Sequence, residues 1–328
     1  MAKIKVAING FGRIGRCAAR VILEREDLEL VAINDPGSWE ALRYLFEHDS
    51  VFRNHKSKVS FENGFLKVGD HQIRTFGTRN IDEVDFGDAD VVLECSGKFL
   101  TVEALTPYIK KGAKRVILSA PSKDDMPMFV LGVNDKNYNG QTIISNGSCT
   151  TNCIAPVCHL LHENFGVING NMLTVHSYTN DQNLVDSPHP KEIRRSRASA
   201  INMIPTTTGA AKNLYRVIPH LKGNFHGHSV RVPTPVVSMI DVNLNLEKQA
   251  TKEQINEVFE KAANGALKGI LSVDNDNCVS SDFIQNSHSC IVASDLTFCV
   301  GNLAKVMAWY DNEWGYSTRL VDIIKLTL

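Results

Sequence analysis

The chain has 328 residues, 43% hydrophobic and 22% charged, with a formal net charge of −1. That balance describes a globular protein large enough for two domains. It excludes a disordered chain, a basic nucleic-acid coat and, with no apolar run of spanning length, a membrane protein. Eight cysteines without a secretion signal read as free thiols of a reducing, cytoplasmic compartment.

Residues 3–9 (KIKVAIN) form an apolar strand pattern, and Gly10-Phe11-Gly12-Arg13-Ile14-Gly15 follows as G-x-G-x-x-G. Ala18, Ala19, Val21, Ile22 and Leu23 then predict a helix over residues 16–24. A second apolar strand, Leu28–Asn34, ends on Asp35, twenty residues after Gly15. Strand, glycine turn, helix, strand and acid together make the dinucleotide fingerprint. Gly10 and Gly12 allow the tight turn near the pyrophosphate, and Gly15 allows close helix–strand packing. Asp35 can accept from ribose hydroxyls and repel a 2′-phosphate, which favours NAD over NADP.

Residues 58–76 read as short antiparallel strands with Asn63-Gly64 as a turn. Two further apolar runs, at 91–97 and 115–121, place Ser96 and Ser119 just beyond strand C-termini. Ligands of an open parallel sheet bind there, although either serine serves equally as a cap.

Residues 145–153 (SNGSCTTNC) follow the apolar pair Ile143-Ile144 and lead into Ile154, Ala155, Val157, Leu160 and Leu161. The pattern predicts strand, turn and helix with Cys149 at the helix N-terminus, where the dipole favours a thiolate. The neighbouring hydroxyls of Ser148, Thr150 and Thr151 suit an anion at the same helix end. Cys149, Cys153, Cys158 and His159 lack the paired spacing of a zinc ribbon, so no metal is expected.

Residues 171–178 read as a strand carrying His176, and residues 179–202 as a long loop without periodicity, the kind that usually has a function. Residues 236–246 alternate as a strand, with Ile240, Val242, Leu244 and Leu246 on one face. Thr251-Lys252-Glu253-Gln254 has capping-box spacing and opens a helix. Strand-like runs at 288–293, 296–300 and 305–310 complete an antiparallel sheet, and a final helix over 313–328 is expected to pack back on the first domain.

Residues 145–153 resemble the active-site segment of phosphorylating glyceraldehyde-3-phosphate dehydrogenases. Further motifs in the same order extend the resemblance over nearly the whole chain: residues 9–15, 176–179, 206–212, 231–235 and 309–317. It implies an α/β fold: a Rossmann-type doubly wound parallel sheet in residues 1–148, and an α+β catalytic domain with a mainly antiparallel sheet in 149–312. It implies Cys149 as nucleophile and His176 as base, held as a thiolate–imidazolium pair near neutral pH. Substrate and inorganic phosphate then fall to Ser148, Thr150, Thr179, Arg195, Thr208, Gly209 and Arg231. The cofactor falls to Gly10, Gly12, Arg13, Ile14, Gly15, Asp35, Arg79, Ser96, Ser119 and Asn312.

The implied reaction is the NAD-dependent conversion of glyceraldehyde 3-phosphate and phosphate to 1,3-bisphosphoglycerate, by a homotetramer needing no nucleic acid or membrane. Two positions depart from the family pattern. Gly147 stands where alanine is usual, and Ser187 where NAD-specific relatives carry leucine, so NADP is expected as a secondary cofactor. The alternatives are an erythrose-4-phosphate dehydrogenase of the same class and a non-catalytic RNA-binding or scaffold protein on this fold. The second predicts loss of Cys149 or His176, and both are present.

Overall fold

The computed structural model describes residues 2–328, which gather into two compact units. The first holds the chain to Phe129, then Asn137–Gly147 and Leu320–Leu328; the second holds Val130–Lys136 and Ser148–Arg319.

The first unit alternates strand and helix: β1 (Ile4–Asn9), α1 (Arg13–Leu23), β2 (Leu28–Asn34) and α2 (Trp39–Glu47). A meander follows in β3 (Val59–Glu62), β4 (Phe65–Val68) and β5 (His71–Phe76), then β6 (Val91–Glu94), α3 (Val102–Lys110), β7 (Arg115–Leu118) and β8 (Ile143–Ser145). The sheet order is β3-β4-β5-β2-β1-β6-β7-β8, parallel from β5 to β8 with an antiparallel β3–β4–β5 edge. Asn63 (φ 51°) and Gly64 (φ 79°) turn the β3–β4 hairpin, as the Asn-Gly pair leads one to expect. Strand order reverses between β1 and β6, and that switch point is where an open sheet of this class holds its ligand. α1 begins three residues earlier than the apolar pattern suggests, because Gly12 itself serves as the N-cap.

The second unit opens with α4 (Cys149–Phe165) and continues through β9 (Val167–Ser177), β10 (Ile204–Thr207), α5 (Gly209–Asn213), β11 (Phe225–Val232) and β12 (Ser238–Leu246). It then runs through α6 (Lys252–Asn264), β13 (Leu271–Asp274), β14 (Cys290–Ala293), β15 (Phe298–Val300) and β16 (Leu303–Tyr310). Its sheet runs β10-β11-β9-β12-β16-β14-β13, with β15 on β16. Most pairs are antiparallel, but β11–β9 and β13–β14 are parallel, so the sheet is mixed. β12 buries Ile240, Val242, Leu244 and Leu246 on one face, and α4, which buries Ile154, Ala155, Val157 and Leu161, packs against β12 and β16. The Thr251–Gln254 capping box forms at the start of α6, with Ile255, Phe259 and Ala262 buried.

The helix expected over 313–328 is two pieces, α7 (Trp314–Asp322) and α8 (Ile324–Thr327), interrupted at Ile323. Residues 320–328 belong to the first unit. Asp322 accepts from Arg25 at 2.9 Å, Lys325 lies 2.9 Å from Asp27, and the Thr327 carbonyl accepts from Arg115 at 2.8 Å. No described helix is long and apolar enough to cross a membrane.

Candidate active site

In the first unit the glycine turn is shaped for close approach. A Cβ on Gly10 (φ 92°) would stand 2.5 Å from the Ser96 nitrogen, and one on Gly15 would stand 2.0 Å from the Gly10 carbonyl. Gly12, the N-cap of α1, faces open space. A glycine turn that leads into the first turn of an eleven-residue helix fits a pyrophosphate. Asp35 is held rigidly: one carboxylate oxygen accepts the Phe11 N–H at 2.7 Å and the other the Gly37 N–H at 2.8 Å. Each oxygen keeps a lone pair for a ribose hydroxyl. Arg13 pairs with Asp49 and lies over the Phe52 ring, Ile14 is half-buried in the first turn of α1, and Arg79 is exposed.

Ser96 and Ser119 lie where expected, beyond β6 and β7. The Ser96 hydroxyl, however, donates to Glu94 and accepts from the Lys98 N–H, so it is already committed. The Ser119 N–H donates to the Glu94 carbonyl at 3.0 Å. Glu94, Asn9 and Asn34 join this edge without having been singled out from sequence. The available signal was that β1 and β2 both end in asparagine.

In the second unit, Ser148 caps α4 by accepting the Thr151 N–H at 3.1 Å, which leaves Cys149 as the first helical residue. Gly147 before it takes φ 66°, a conformation that suits glycine and disfavours alanine. His176, near the end of β9, brings Nε2 to 3.6 Å from Cys149 Sγ. The His176 ring is buried edge-on to Tyr310, whose hydroxyl lies 2.9 Å from both Thr150 and Thr174.

Proton affinities differ from the expected ion pair. Burial pushes the Cys149 thiol up, although Arg231 and the hydroxyl and N–H of Thr150 hold it back. Burial, and then the Arg231 cation, push His176 down to about 3. Both shifts run against the thiolate–imidazolium pair expected from the sequence. Burial is the larger cause in each, because low dielectric disfavours the charged form of either group.

Both arginines expected at the phosphate site are embedded. Arg195 is buried; it pairs with Asp181, donates to Glu192 at 2.8 Å and reaches the Thr207 carbonyl at 3.3 Å. Arg231 donates toward the Ser177 carbonyl at 3.2 Å, and its buried Nε has no partner among the described residues. Burial and the nearby Arg195 both lower its proton affinity. Thr179 donates to Gln182 at 3.2 Å, Thr208 caps the short α5 at Ala210, and Gly209 opens that helix with no crowding at its Cα. Asn312 is buried, its side-chain oxygen accepting from Ser177 at 3.0 Å and Ser238 at 2.9 Å.

A dinucleotide fold in one unit and a buried thiol–imidazole pair in the other define a cysteine-dependent, NAD-linked oxidoreductase. Residues 4–102 match the family model described as glyceraldehyde 3-phosphate dehydrogenase, NAD binding domain, and residues 148–312 match its C-terminal domain. A relative from Helicobacter pylori named glyceraldehyde-3-phosphate dehydrogenase is 51% identical over 329 residues, covering 98% of each chain. One of the same name from Atriplex nummularia is 47% identical, covering 99% of this chain and 92% of its own. A cytosolic form from Dianthus caryophyllus is also 47% identical, covering 99% and 98%. The chain belongs to the glyceraldehyde-3-phosphate dehydrogenase family.

Proposed function

We propose that this chain converts glyceraldehyde 3-phosphate, inorganic phosphate and NAD to 1,3-bisphosphoglycerate through a thioester on Cys149. The supporting observation is the 3.6 Å approach of Cys149 Sγ to His176 Nε2 at the head of α4. His176 Nδ1 lies 2.7 Å from the Ser177 carbonyl; with its proton there, Nε2 is a bare acceptor facing sulfur. The imidazole takes the thiol proton as sulfur adds to the aldehyde carbon, and returns it to the new alkoxide. It then removes that hydroxyl proton as the thiohemiacetal is oxidised. Bound NAD supplies the hydride acceptor for this step. Attack of phosphate on the thioester carbon expels the Cys149 sulfur and completes the cycle.

The unpartnered Arg231 Nε and its repulsion by Arg195 favour an anion beside them. This supports Arg231, Arg195, Thr179, Thr208 and Gly209 as phosphate residues, with Ser148 and Thr150 shaping the helix end. Gly10, Gly12, Arg13, Ile14, Gly15, Asp35, Arg79, Ser96 and Ser119 are proposed for NAD. Asn312 is proposed for its carboxamide on the family motif alone. Domain limits of 1–148 and 149–312, a cytoplasmic setting and a homotetramer belong to the same reading. Leu184, Ile193, Ile201 and Met203 are all more than 70% exposed, which supports association of copies.

Initial rates with glyceraldehyde 3-phosphate and NAD, with and without phosphate, test the reaction. Phosphate-dependent reduction of NAD is expected. Equal rates without phosphate, or turnover of erythrose 4-phosphate alone, would overturn it. Light scattering tests the assembly, and a monomer at micromolar concentration refutes it.

A further inference from the structure

A polar chain runs beneath the C-terminal ends of β2, β1 and β6, within the first unit. The Thr78 N–H donates to Asn34 at 3.1 Å, Asn34 donates to the Asn9 side-chain oxygen at 2.7 Å, and Asn9 donates to Glu94 Oε2 at 2.7 Å. Glu94 Oε1 accepts the Ser96 N–H at 2.7 Å together with the Ser96 hydroxyl, and Oε2 also lies 3.3 Å from the Tyr108 hydroxyl. Glu94 is fully buried, and no cation pairs with it among the described residues. It stands at the end of β6, beside β1, at the point where strand order reverses.

These contacts orient the group electrically as well as sterically. Asn9 turns its oxygen to Asn34, so its amide N–H must face Glu94. The Ser96 hydroxyl accepts from the Lys98 N–H and sends its own proton to Glu94. The two carboxyl oxygens thus meet donors on nearly every side, and a proton on either would displace one of them. Burial pushes the Glu94 carboxyl up, while bonds from Ser96, Asn9 and Tyr108 pull it down. The titratable neighbours offer no counter-charge: the Cys95 thiol is pushed up to about 12 and the Tyr108 phenol is raised, so both stay neutral.

We infer that Glu94 is a buried carboxylate whose charge makes the dinucleotide site prefer the oxidised cofactor over the reduced one. Oxidised NAD carries one positive charge more than NADH, on the nicotinamide ring, and an unbalanced anion below the switch point attracts that form selectively. The ring belongs to the half of the dinucleotide beyond the switch point, since Asp35 on the β2 side is suited to the adenosine ribose. Ser96 is the positioning link, because its N–H and hydroxyl are both held by Glu94. The inference rests on the proposed use of NAD.

The test is equilibrium binding to the full-length protein, read by calorimetry for NAD+ and NADH, in the wild type and Glu94→Gln. A unit charge acting through an effective dielectric of about 20 over nanometre separations corresponds to roughly a tenfold bias. The ratio of NADH to NAD+ dissociation constants should fall about tenfold in Glu94→Gln. A purely structural residue would weaken both forms alike, and an unchanged ratio overturns the inference. Should the variant fail to fold, the wild type decides alone, using a dinucleotide with benzamide in place of nicotinamide, a neutral isostere of the oxidised ring. Preference for NAD+ over this isostere by about tenfold supports the inference, and equal affinity refutes it. Absence of any NAD+ binding to the wild type would instead remove the cofactor reading, and this inference with it.

Discussion

Arg231 places Nη1 2.8 Å from His176 Nδ1, the ring nitrogen that does not face Cys149. The Ser177 carbonyl lies 2.7 Å from the same nitrogen. A guanidinium can only donate and a carbonyl can only accept, so Nδ1 cannot serve both in one state. With the proton on Nδ1 bonded to Ser177, the arginine is a cation pressed against an N–H, and protonating Nε2 becomes still harder. Arg231→Met should therefore raise the His176 pKa, as followed by imidazole NMR. It should not restore the ordinary value of 6.5, because burial is the larger cause of the depression. An unmoved titration would show that burial acts alone.

The same depression makes stability depend on pH. Unfolded His176 binds a proton near 6.5 and the folded ring only at about 3, so the unfolded state holds more protons between these values. The His176 contribution is fully present above pH 6.5 and is lost as pH falls toward 3. The slope is about 1.4 kcal/mol per pH unit at most. His176→Asn should flatten this part of the profile in urea melts taken from pH 7 to pH 4. An identical slope in both proteins would assign the acid sensitivity elsewhere.

Cys149→Ser should lower turnover by about 10³-fold or more, since an alkoxide forms far less readily than a thiolate. Cys153→Ser should retain most activity, because Cys153 is fully buried on α4 and burial raises its thiol further from ionisation. In His176→Asn, hydride transfer should slow by about 10²- to 10⁴-fold. A dead but folded Cys153→Ser beside an active Cys149→Ser would reverse the assignment.

Gly147→Ala should destabilise the protein by about 1–2 kcal/mol, because φ 66° places a Cβ against its own carbonyl. Denaturant midpoints at unchanged m-value read this directly. An unaltered midpoint would mean that the turn relaxes to negative φ without cost.

NAD should be preferred over NADP by about ten- to several-hundred-fold in kcat/KM. Unit charges at contact repel by about 1 kcal/mol in water and about 4 near a protein surface, against roughly 0.5–1.5 for one neutral hydrogen bond from Ser187. The two backbone donors on Asp35 keep its carboxylate from turning away. Asp35→Ala should narrow the gap and Ser187→Leu widen it. Equal efficiency with both cofactors in the wild type would refute the ranking.

Local chemistry was the legible part of this protein. β2 spans Leu28–Asn34 as its apolar run does, the Thr251 capping box forms, and Cys149 opens its helix. Each depends on residues within a few positions of one another. Features that depend on which strands become neighbours were not legible. Asn9, Asn34 and Glu94 meet only because β2, β1 and β6 adjoin, and the parallel β11–β9 pair leaves no periodic trace. Residues 179–202 read as a loop without periodicity, and only the fold brings Asp181 and Glu192 together to hold Arg195 inside. The shifts at Cys149 and His176 have a related cause: helix position can be read from sequence, but depth of burial cannot.

The tie between residues 320–328 and the first unit bears on the order in which a nascent chain can mature. Asp322, Lys325 and the Thr327 carbonyl close against Arg25, Asp27 and Arg115, which leave the ribosome some two hundred residues earlier or more. During synthesis the dinucleotide unit must wait with that surface uncovered while the whole thiol-bearing unit is made. Domains generally fold as units as they emerge. Here the unit translated first is the one whose last contacts form at the end, and a chain stalled before residue 320 would carry a completed second unit on an unfinished first.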